Sequence, residues 1–513
     1  MHWLFRLFNY IAVFALHMLW VVAYFPVFPI FRLWRYFSLE SEFGLETNLE
    51  EHTKGVVKVV RQVRKWRRNG EKKKMTTGRP GWKSISITKT DKSVYYPINV
   101  DLNGIISLEE NEVTVTVEPG VMIGQLTRYL FKRGWTIPVV PELDSLSIGA
   151  KVEPVFIYFP GGLICGAGLE SSSHKYGVLH DTVISYEVVL PDATVVTCSE
   201  ENDPDLFHAI PGSYGTIGFL TAVTFPLIRA KRFVQIDYRP ASSITQFNSM
   251  LKTEPNHDFV EAFAYSKNEI VVMFGDMVDT VAPGASVNYI NRWYKHIFHN
   301  HAHSILKKGR DSYVEYVPLI DYYHRHSRGI FWVFSENFVL LNYSVFLFLF
   351  GCMLNPYIPS QRLIPNVAWN FLTSGQVVQD YVVPFKTAQK FYDMADELVH
   401  VYPVWLCPVE LKRNSTMFRP PGDVDYLDFG FYTYPKADNF HPVKTLEAME
   451  AEVIKCDGFQ GLYADCFMSR KQFREMFDTS IYDKVRKSRG CCYAFPDVYD
   501  KVGPKSAGLI ADT

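Results

Sequence analysis

From Leu7 to Phe31 the chain is almost wholly apolar (LFNYIAVFALHMLWVVAYFPVFPIF), and only Asn9 and His17 interrupt it. A helix needs about 20 apolar residues to cross the hydrocarbon of a bilayer. A secretory signal has a shorter apolar stretch and a small-residue cleavage site. Here Pro26 and Pro29 among bulky neighbours replace that site, so the pattern predicts an uncleaved anchor within residues 1–50. Trp20, Tyr24, Trp34 and Tyr36 suit the membrane interface. The basic stretch Lys54 to Lys74 reads as a solvated linker helix and places the following body on the cytosolic side. A second apolar run, Phe338 to Leu354, is borderline for spanning, and Asn342, Tyr343 and Ser344 make it a buried or monotopic segment. On a cytosolic body the sequons at Asn342 and Asn414 stay unmodified.

Beyond Met75 the periodicity shortens. Trp82–Thr88 and Ile98–Leu108 are β-rich, and Glu112–Glu118 (EVTVTVE) alternates as a half-buried strand should. Gly120–Trp135 changes to helical spacing, with Ile123, Leu126, Leu130 and Phe131 on one side. A Pro-rich loop, a glycine cluster (Gly161-Gly162-Leu163-Ile164-Cys165-Gly166-Ala167-Gly168), the run Ser171-Ser172-Ser173 and a strand at Thr182–Leu190 follow. The block ends at Asp205–Phe219, which contains Gly212, Gly215 and Gly218.

Composition narrows the class. The 513 residues carry 53 basic and 54 acidic side chains, a net charge of −1, which argues against a general nucleic-acid binder. With 48% apolar residues the chain builds full-sized cores over several domains. The 38 Phe, 30 Tyr and 10 Trp suit a large apolar pocket, a membrane surface or simply a big core. Eight scattered cysteines without a CxxC pair read as reduced thiols. His324 and His326 have metal-pair spacing, but no third ligand stands at a recognisable interval, so no metal is expected.

Clustered glycines let backbone N–H groups approach a ligand, and with adjacent serines such a loop suits a pyrophosphate. No GxGxxG runs from a strand into a helix, and no GK[ST] follows, so neither a Rossmann fingerprint nor a P-loop is present. The order of segments is more specific. PGVMIGQL, GGLICGAGLESSSHKYG, VVLPDAT and DLFHAIPGSYGTIGFLT resemble the FAD domain of the vanillyl-alcohol oxidase (PCMH) class. PELDSLSIG, DYYHRHSRGIFW (321–332), VYPVWLCP (401–408) and GLYADCFMSRKQFREMFD (461–478) narrow this to a resemblance to the Δ24-sterol reductase, or Diminuto, family over nearly the whole chain.

The resemblance implies an α+β fold: a PCMH-type FAD domain of two subdomains (51–230), a substrate or cap domain (231–460) and a C-terminal segment returning toward the flavin (461–513). It implies that FAD is held by Arg79, Pro80 and Gly81 in a first loop beginning at Thr76. Ser147, Ile148 and Gly149, with Gly162, Leu163, Ile164, Cys165, Gly166, Ala167, Gly168, Leu169, Glu170, Ser171 and Ser172, would form the phosphate loop. Gly212, Gly215, Ile217 and Gly218 would line the cofactor further on. It also implies NADPH as electron donor, a sterol substrate and the endoplasmic reticulum membrane, with the body facing the cytosol.

The implied reaction reduces an isolated side-chain alkene at C24–C25, a poor hydride acceptor that needs a positioned acid and a dry apolar site. Tyr463, Asp465, His324 and His326 are the candidate acids, and Arg325 and Arg328 are candidate phosphate contacts. Two other readings are a membrane-bound flavin oxidase of a sugar lactone or alcohol and a catalytically dead scaffold on a flavin fold.

Two features depart from the pattern. Ala150–Gly161 (AKVEPVFIYFPG) intrudes into the phosphate loop. Its Phe156–Pro160 codons resemble a translated polypyrimidine tract and splice acceptor, so it reads as a retained intron that severs the loop, or as a genuine surface loop. Secondly, Arg79-Pro80-Gly81-Trp82 stands where many members of the wider class place a flavin-linking His. Acid precipitation is therefore expected to release all flavin into the supernatant; a yellow pellet contradicts non-covalent binding.

Overall fold

The computed structural model describes residues 42, 44–78, 93–144, 146–149, 163–164, 166, 168–254, 256–309, 311–329, 331–333, 342–350, 377–411, 416–418, 425–438 and 440–504. Met1–Phe43 and Gly44–Thr513 are separate compact units. The expected anchor at Leu7 to Phe31, the strand at Trp82–Thr88 and the insert Ala150–Gly161 lie outside the described residues. Among the described residues no helix is long and apolar enough to cross a membrane. Of the second apolar run, Ser344–Phe350 is a seven-residue helix.

The body opens with a helix, Leu49–Arg68. Asn48 caps it by accepting from the Glu51 amide at 2.9 Å. Glu50 and Glu51 in the first turn, and Lys65, Arg67 and Arg68 in the last, complement the helix dipole. Its basic run is one face of an amphipathic element. His52, Val56, Val59, Val60, Val63 and Trp66 form a buried stripe, so the segment belongs to the folded body and is more than a solvated linker.

His52 locks this helix down. Its Nδ1 lies 2.8 Å from Glu118 Oε1 and its Nε2 3.1 Å from Glu187 Oε1. Burial disfavours the imidazolium, yet the two carboxylates prevail and lift its pKa to about 9.

Behind the helix, Met75–Thr77 pairs in parallel with Tyr96–Ile98. A five-stranded antiparallel sheet follows, in the order Ile105–Glu109, Thr114–Val117, Phe219–Pro226, Ser185–Val189, Val195–Ser199. The alternating segment is the strand Thr114–Val117, with Val115 and Val117 fully buried. The helical spacing becomes Ile123–Phe131, burying Ile123, Leu126 and Leu130.

The two halves of the expected phosphate loop meet. The amides of Leu163 and Ile164 donate to the carbonyls of Ser147 and Ile148 at 3.2 and 3.1 Å. The intruding peptide therefore does not sever the loop, because the residues on either side of it pair directly.

The second half of the body is an eight-stranded antiparallel sheet. Its order is Tyr313–Pro318, Phe233–Ala241, Glu269–Val278, Phe259–Ser266, Val404–Glu410, Asp425–Thr433, Val377–Pro384, Phe459–Gln460. Register divides its faces cleanly. Val260, Ala262, Leu406, Phe429, Phe431, Tyr381 and Val383 point one way and pack on the helices Ile244–Thr253, Phe385–Leu398 and Pro442–Lys455. The opposite face carries Glu261, Phe263, Trp405, Cys407, Asp428, Tyr432 and Asp380, and its apolar members share one core with the first half. Every charged residue in that group is one a strand buries at a cost unless it is paired or neutral.

The C-terminal helix Ser480–Ser488 packs on Pro204–Ala209. Arg486 Nη1 donates to the Thr216 carbonyl at 2.5 Å, Tyr482 and Thr216 share a hydroxyl bond of 2.6 Å, and Lys501 Nζ donates to the Tyr214 carbonyl. The chain end thereby holds the loop that contains Gly212, Gly215 and Gly218.

Two outcomes follow from these contacts. Raising the His52 pKa from 6.5 to about 9 contributes on the order of 3 kcal/mol, full below pH 6.5 and lost as pH rises through 9. Unfolding stability of the native chain is expected to fall over that window more steeply than that of His52→Asn; equal slopes contradict the lock. Deleting Ala150–Gly161 is expected to leave flavin per chain equal to or above that of the full protein, and loss of flavin would make the insert part of the site.

Candidate active site

The expected flavin loops are built from short turns whose amides mostly serve the protein. Ile148 and Gly149 donate to the carbonyls of Val121 and Pro119, and Gly168 donates to Leu163. Glu170 donates its amide to Ser173 Oγ at 2.9 Å, and Ser171 donates to Glu170 Oε1 at 2.7 Å. Several N–H groups of the expected phosphate loop are thus taken up by bonds between its own segments. Gly149 is required by packing: a Cβ there would stand 2.3 Å from Pro119 Cβ. Gly212 and Gly215 adopt φ of 74° and 70°, which favours glycine. Ile217 is buried, and a Cβ on Gly218 would stand 2.9 Å from the Val189 carbonyl oxygen.

Several buried polar atoms in this region have no hydrogen-bond partner in the protein. Both ring nitrogens of His180 are buried and unpartnered, as is Glu170 Oε2. The His180 ring stacks on Phe418 at 5.8 Å, and Phe418 is packed near Gly212. Burial, with a smaller effect of His208, pushes the His180 pKa down to about 3, so the ring is neutral. A buried neutral imidazole with two open nitrogens fits a polar heterocycle such as a flavin.

The segment 321–329 joins this region to the sheet. Arg325 is buried and grips Glu261 through Nε–Oε1 at 2.6 Å and Nη2–Oε2 at 2.8 Å, while Nη2 also donates to Glu170. Trp405 Nε1 donates to Glu261 Oε2 at 2.9 Å. Burial would raise the Glu261 carboxyl, but Arg325 and His326 hold it down to about 2. Burial and the Arg325 charge lower His326 to about 4. His326 lies 3.4 Å from Glu261 Oε2 and stacks on Phe331 at 4.3 Å. It is neutral at physiological pH, which corrects the expectation of an imidazolium donor. His324 Nε2 pairs with Thr127 Oγ1 at 2.8 Å. Arg328 donates to the carbonyls of Ile290, Arg292, Trp293 and Lys295, so its guanidinium is committed to the chain rather than offered to a phosphate.

Farther along the same sheet face stands a group of carboxyls and phenols. Asp380 lies opposite Gly430 in the ladder, with Asp428 and Tyr432 on either side of that glycine. A Cβ on Gly430 would stand 2.5 Å from the Tyr432 hydroxyl, so the glycine clears the path for that phenol. Tyr432 donates to the Asp380 carboxyl, and the Tyr463 phenol also acts on it. The Gly461 amide donates to the Asp380 carbonyl at 3.0 Å, and a Cβ on Gly461 would stand 2.8 Å from Tyr463 Cε1. Asp428 is completely buried, and neither carboxyl oxygen has a partner. Burial, then Asp380 and Glu142, raise its pKa well above the usual carboxylate range. Burial likewise raises Asp380, against the two phenols, to about 6. Glu142, from the loop before Ser147, is raised by burial and by Glu170. Phe331 packs against Tyr432 with the rings tilted and their centroids 4.5 Å apart, and lies 5.4 Å from Trp405, which makes the intervening wall aromatic.

Of the sequence candidates, Tyr463 enters this carboxyl group. His324 and His326 lie in the staple around Arg325. The Asp465 carbonyl accepts from Gln379 Nε2 at 3.3 Å. Leu163 and Ile164 are brought beside Ser147 and Ile148, Gly168 bonds back to Leu163, Glu170 and Ser171 join the staple, with Tyr322 donating to Ser171 Oγ at 3.2 Å, and Ser172 Oγ donates to the Pro138 carbonyl, while Gly166 and Leu169 lie on the same segment. Arg79, Pro80, Gly81, Gly162, Cys165 and Ala167 lie outside the described residues. Among the described residues no three His, Cys, Asp or Glu side chains are grouped to hold a metal. Sequence reasoning missed Asp380, Asp428, Glu261 and His180. The signal for the first three was a lone acid inside an otherwise apolar strand, as in VVQDYVVP and DYLDFGFYT.

Comparison with known proteins shows the family. The FAD binding domain family matches residues 62–199. The chain is 38% identical to the Delta(24)-sterol reductases of Macaca fascicularis and Homo sapiens, over 95% of this chain and 94% of theirs. It is 36% identical to a Delta(24)-sterol reductase homolog of Caenorhabditis elegans, over 88% of this chain and 87% of that protein. Similarity of this extent covers the flavin loops, the staple, the sheet and the C-terminal segment together, and the chain belongs to the Delta(24)-sterol reductase family.

Proposed function

We propose that this protein reduces the C24–C25 side-chain double bond of a sterol at a bound FAD, with NADPH as the reductant. The observation that carries this reading is the 38% identity over 95% of the chain with Delta(24)-sterol reductases, which spans both the flavin domain and the sheet that faces it. We place the protein on the endoplasmic reticulum membrane, anchored by its N-terminal apolar segment with the body toward the cytosol. FAD is held non-covalently between the loops 147–149, 163–172 and 212–218, where His180 and Glu170 Oε2 offer unpartnered polar atoms. Arg486 and Lys501 brace the last of these loops through its carbonyls.

When bound, reduced FAD supplies a hydride. The protein's own residues supply the other half of the reaction and the conditions for it. An isolated alkene accepts hydride only as its other carbon takes a proton, which gives tertiary cationic character at C25. Such a centre requires an apolar surround that excludes water. Phe331, Trp332, Trp405 and Tyr432 provide it, all buried and in mutual ring contact. Arg325 fixes that wall to the flavin loop by holding Glu261 and Glu170 together.

Membranes or detergent-solubilised protein, supplied with desmosterol and NADPH, are expected to form the saturated side chain with one NADPH consumed per product and no peroxide. Peroxide released from a lactone or alcohol, with no sterol product, contradicts the proposal and points to an oxidase.

A further inference from the structure

The reading of the site as a sterol reductase leaves open which group gives the proton, and the inference below rests on that reading. We propose that Asp380 is the proton donor to C24, that Tyr432 and Tyr463 stabilise its conjugate base, and that Asp428 is held neutral beside it. Three observations converge on this assignment. Asp380 is half-buried, whereas Asp428, on the neighbouring strand, is completely buried. Tyr432 donates to the Asp380 carboxyl, and both phenols act on it to favour the carboxylate left behind when the proton departs. Asp428 has no donor to either oxygen, so a charge on it would be unsolvated; kept neutral, it leaves Asp380 as the one carboxyl of the strand pair built to ionise.

The step balances without a further reagent. The O–H bond of Asp380 breaks as the alkene π pair forms the C24–H bond, and C25 becomes electron-deficient. The hydride from reduced flavin supplies the missing pair. Asp380, now a carboxylate beside the cationic centre, recovers its proton from solvent. A tyrosine alone is a poorer donor, because its phenolate would stand against the carboxyl to which it is bonded.

The groups that face Asp380 set its titration. Gln379 on its own strand accepts from the Asp380 amide at 3.1 Å. Asp428 and Tyr432 come from the next strand, and Tyr463, with Asp465 two residues on, from the C-terminal segment. Glu142 comes from the flavin side, with Glu170 and Arg325 behind it. Burial keeps Asp380 protonated to about pH 6, and the two phenols oppose it. The rate is therefore expected to fall as pH rises through the Asp380 pKa.

The test uses the full chain with its flavin and a sterol whose side chain carries a protonated amine at position 25, a stable mimic of the charge. Asp380→Asn is expected to keep its flavin, lose about 100-fold or more in desmosterol turnover, and bind the amine sterol about tenfold more weakly with neutral sterol binding unchanged. Turnover within a few-fold of native, or an unchanged preference for the amine, overturns the assignment. Tyr463→Phe provides a second readout if the Asn variant does not fold. Removing one phenol donor is expected to shift the fall in rate to higher pH, and an unshifted midpoint counts against Asp380. A native chain that fails to reduce desmosterol overturns the functional reading and the assignment with it, whereas native turnover that survives in Asp380→Asn overturns the assignment alone.

Discussion

One guanidinium ties the two halves of this body together. Arg325 sits between Glu170, from the glycine-rich loops, and Glu261, from the large sheet, with its charge wholly buried. Buried ions are expensive, and an apolar replacement of similar shape often gives equal stability. What such a triad supplies is geometry. A bidentate pair fixes the guanidinium plane, and the third carboxyl then fixes how the loop stands over the sheet. Breaking it strands two carboxylates in a dry interior, so the loop and the sheet hold one relative position.

That constraint gives the sheet its asymmetry. Its back face is apolar and closed by three helices. Its front face carries Glu261, Asp380 and Asp428 among aromatic rings, in alternate positions of adjacent strands. Period two places these acids on one side without any long-range information, and the antiparallel register then sets Asp380 between Asp428 and Tyr432. Glycine opposite Asp380 leaves room for the phenol to reach across. On the proposed assignment, a single face serves chemistry that needs a proton at one carbon and exclusion of water at the next.

Much of this was legible before any coordinates. The strand Thr114–Val117 and the helix Ile123–Phe131 follow from alternation and from 3.6-residue spacing, because local burial dictated both. Tyr463 was legible from its motif. The helix Leu49–Arg68 was read by its charges, while the stripe of Val56, Val59, Val60, Val63 and Trp66 shows that its other face is core. Asp380 and Asp428 escaped notice because one acid in an apolar strand says nothing until register names its neighbours. The pairing of Ser147 with Leu163 is likewise non-local: nothing within Ala150–Gly161 reveals that the residues flanking it bond to each other.

On the function proposed above, a flavin held in these loops passes its electrons directly to a sterol lying against the sheet. Anaerobic single turnover tests it most directly. Purified protein whose flavin has been reduced is mixed with desmosterol, and the flavin's visible absorption is followed while product is measured. The oxidised flavin band is expected to return in step with one saturated sterol per flavin. Flavin that stays reduced until oxygen is admitted, with no sterol product, would contradict it.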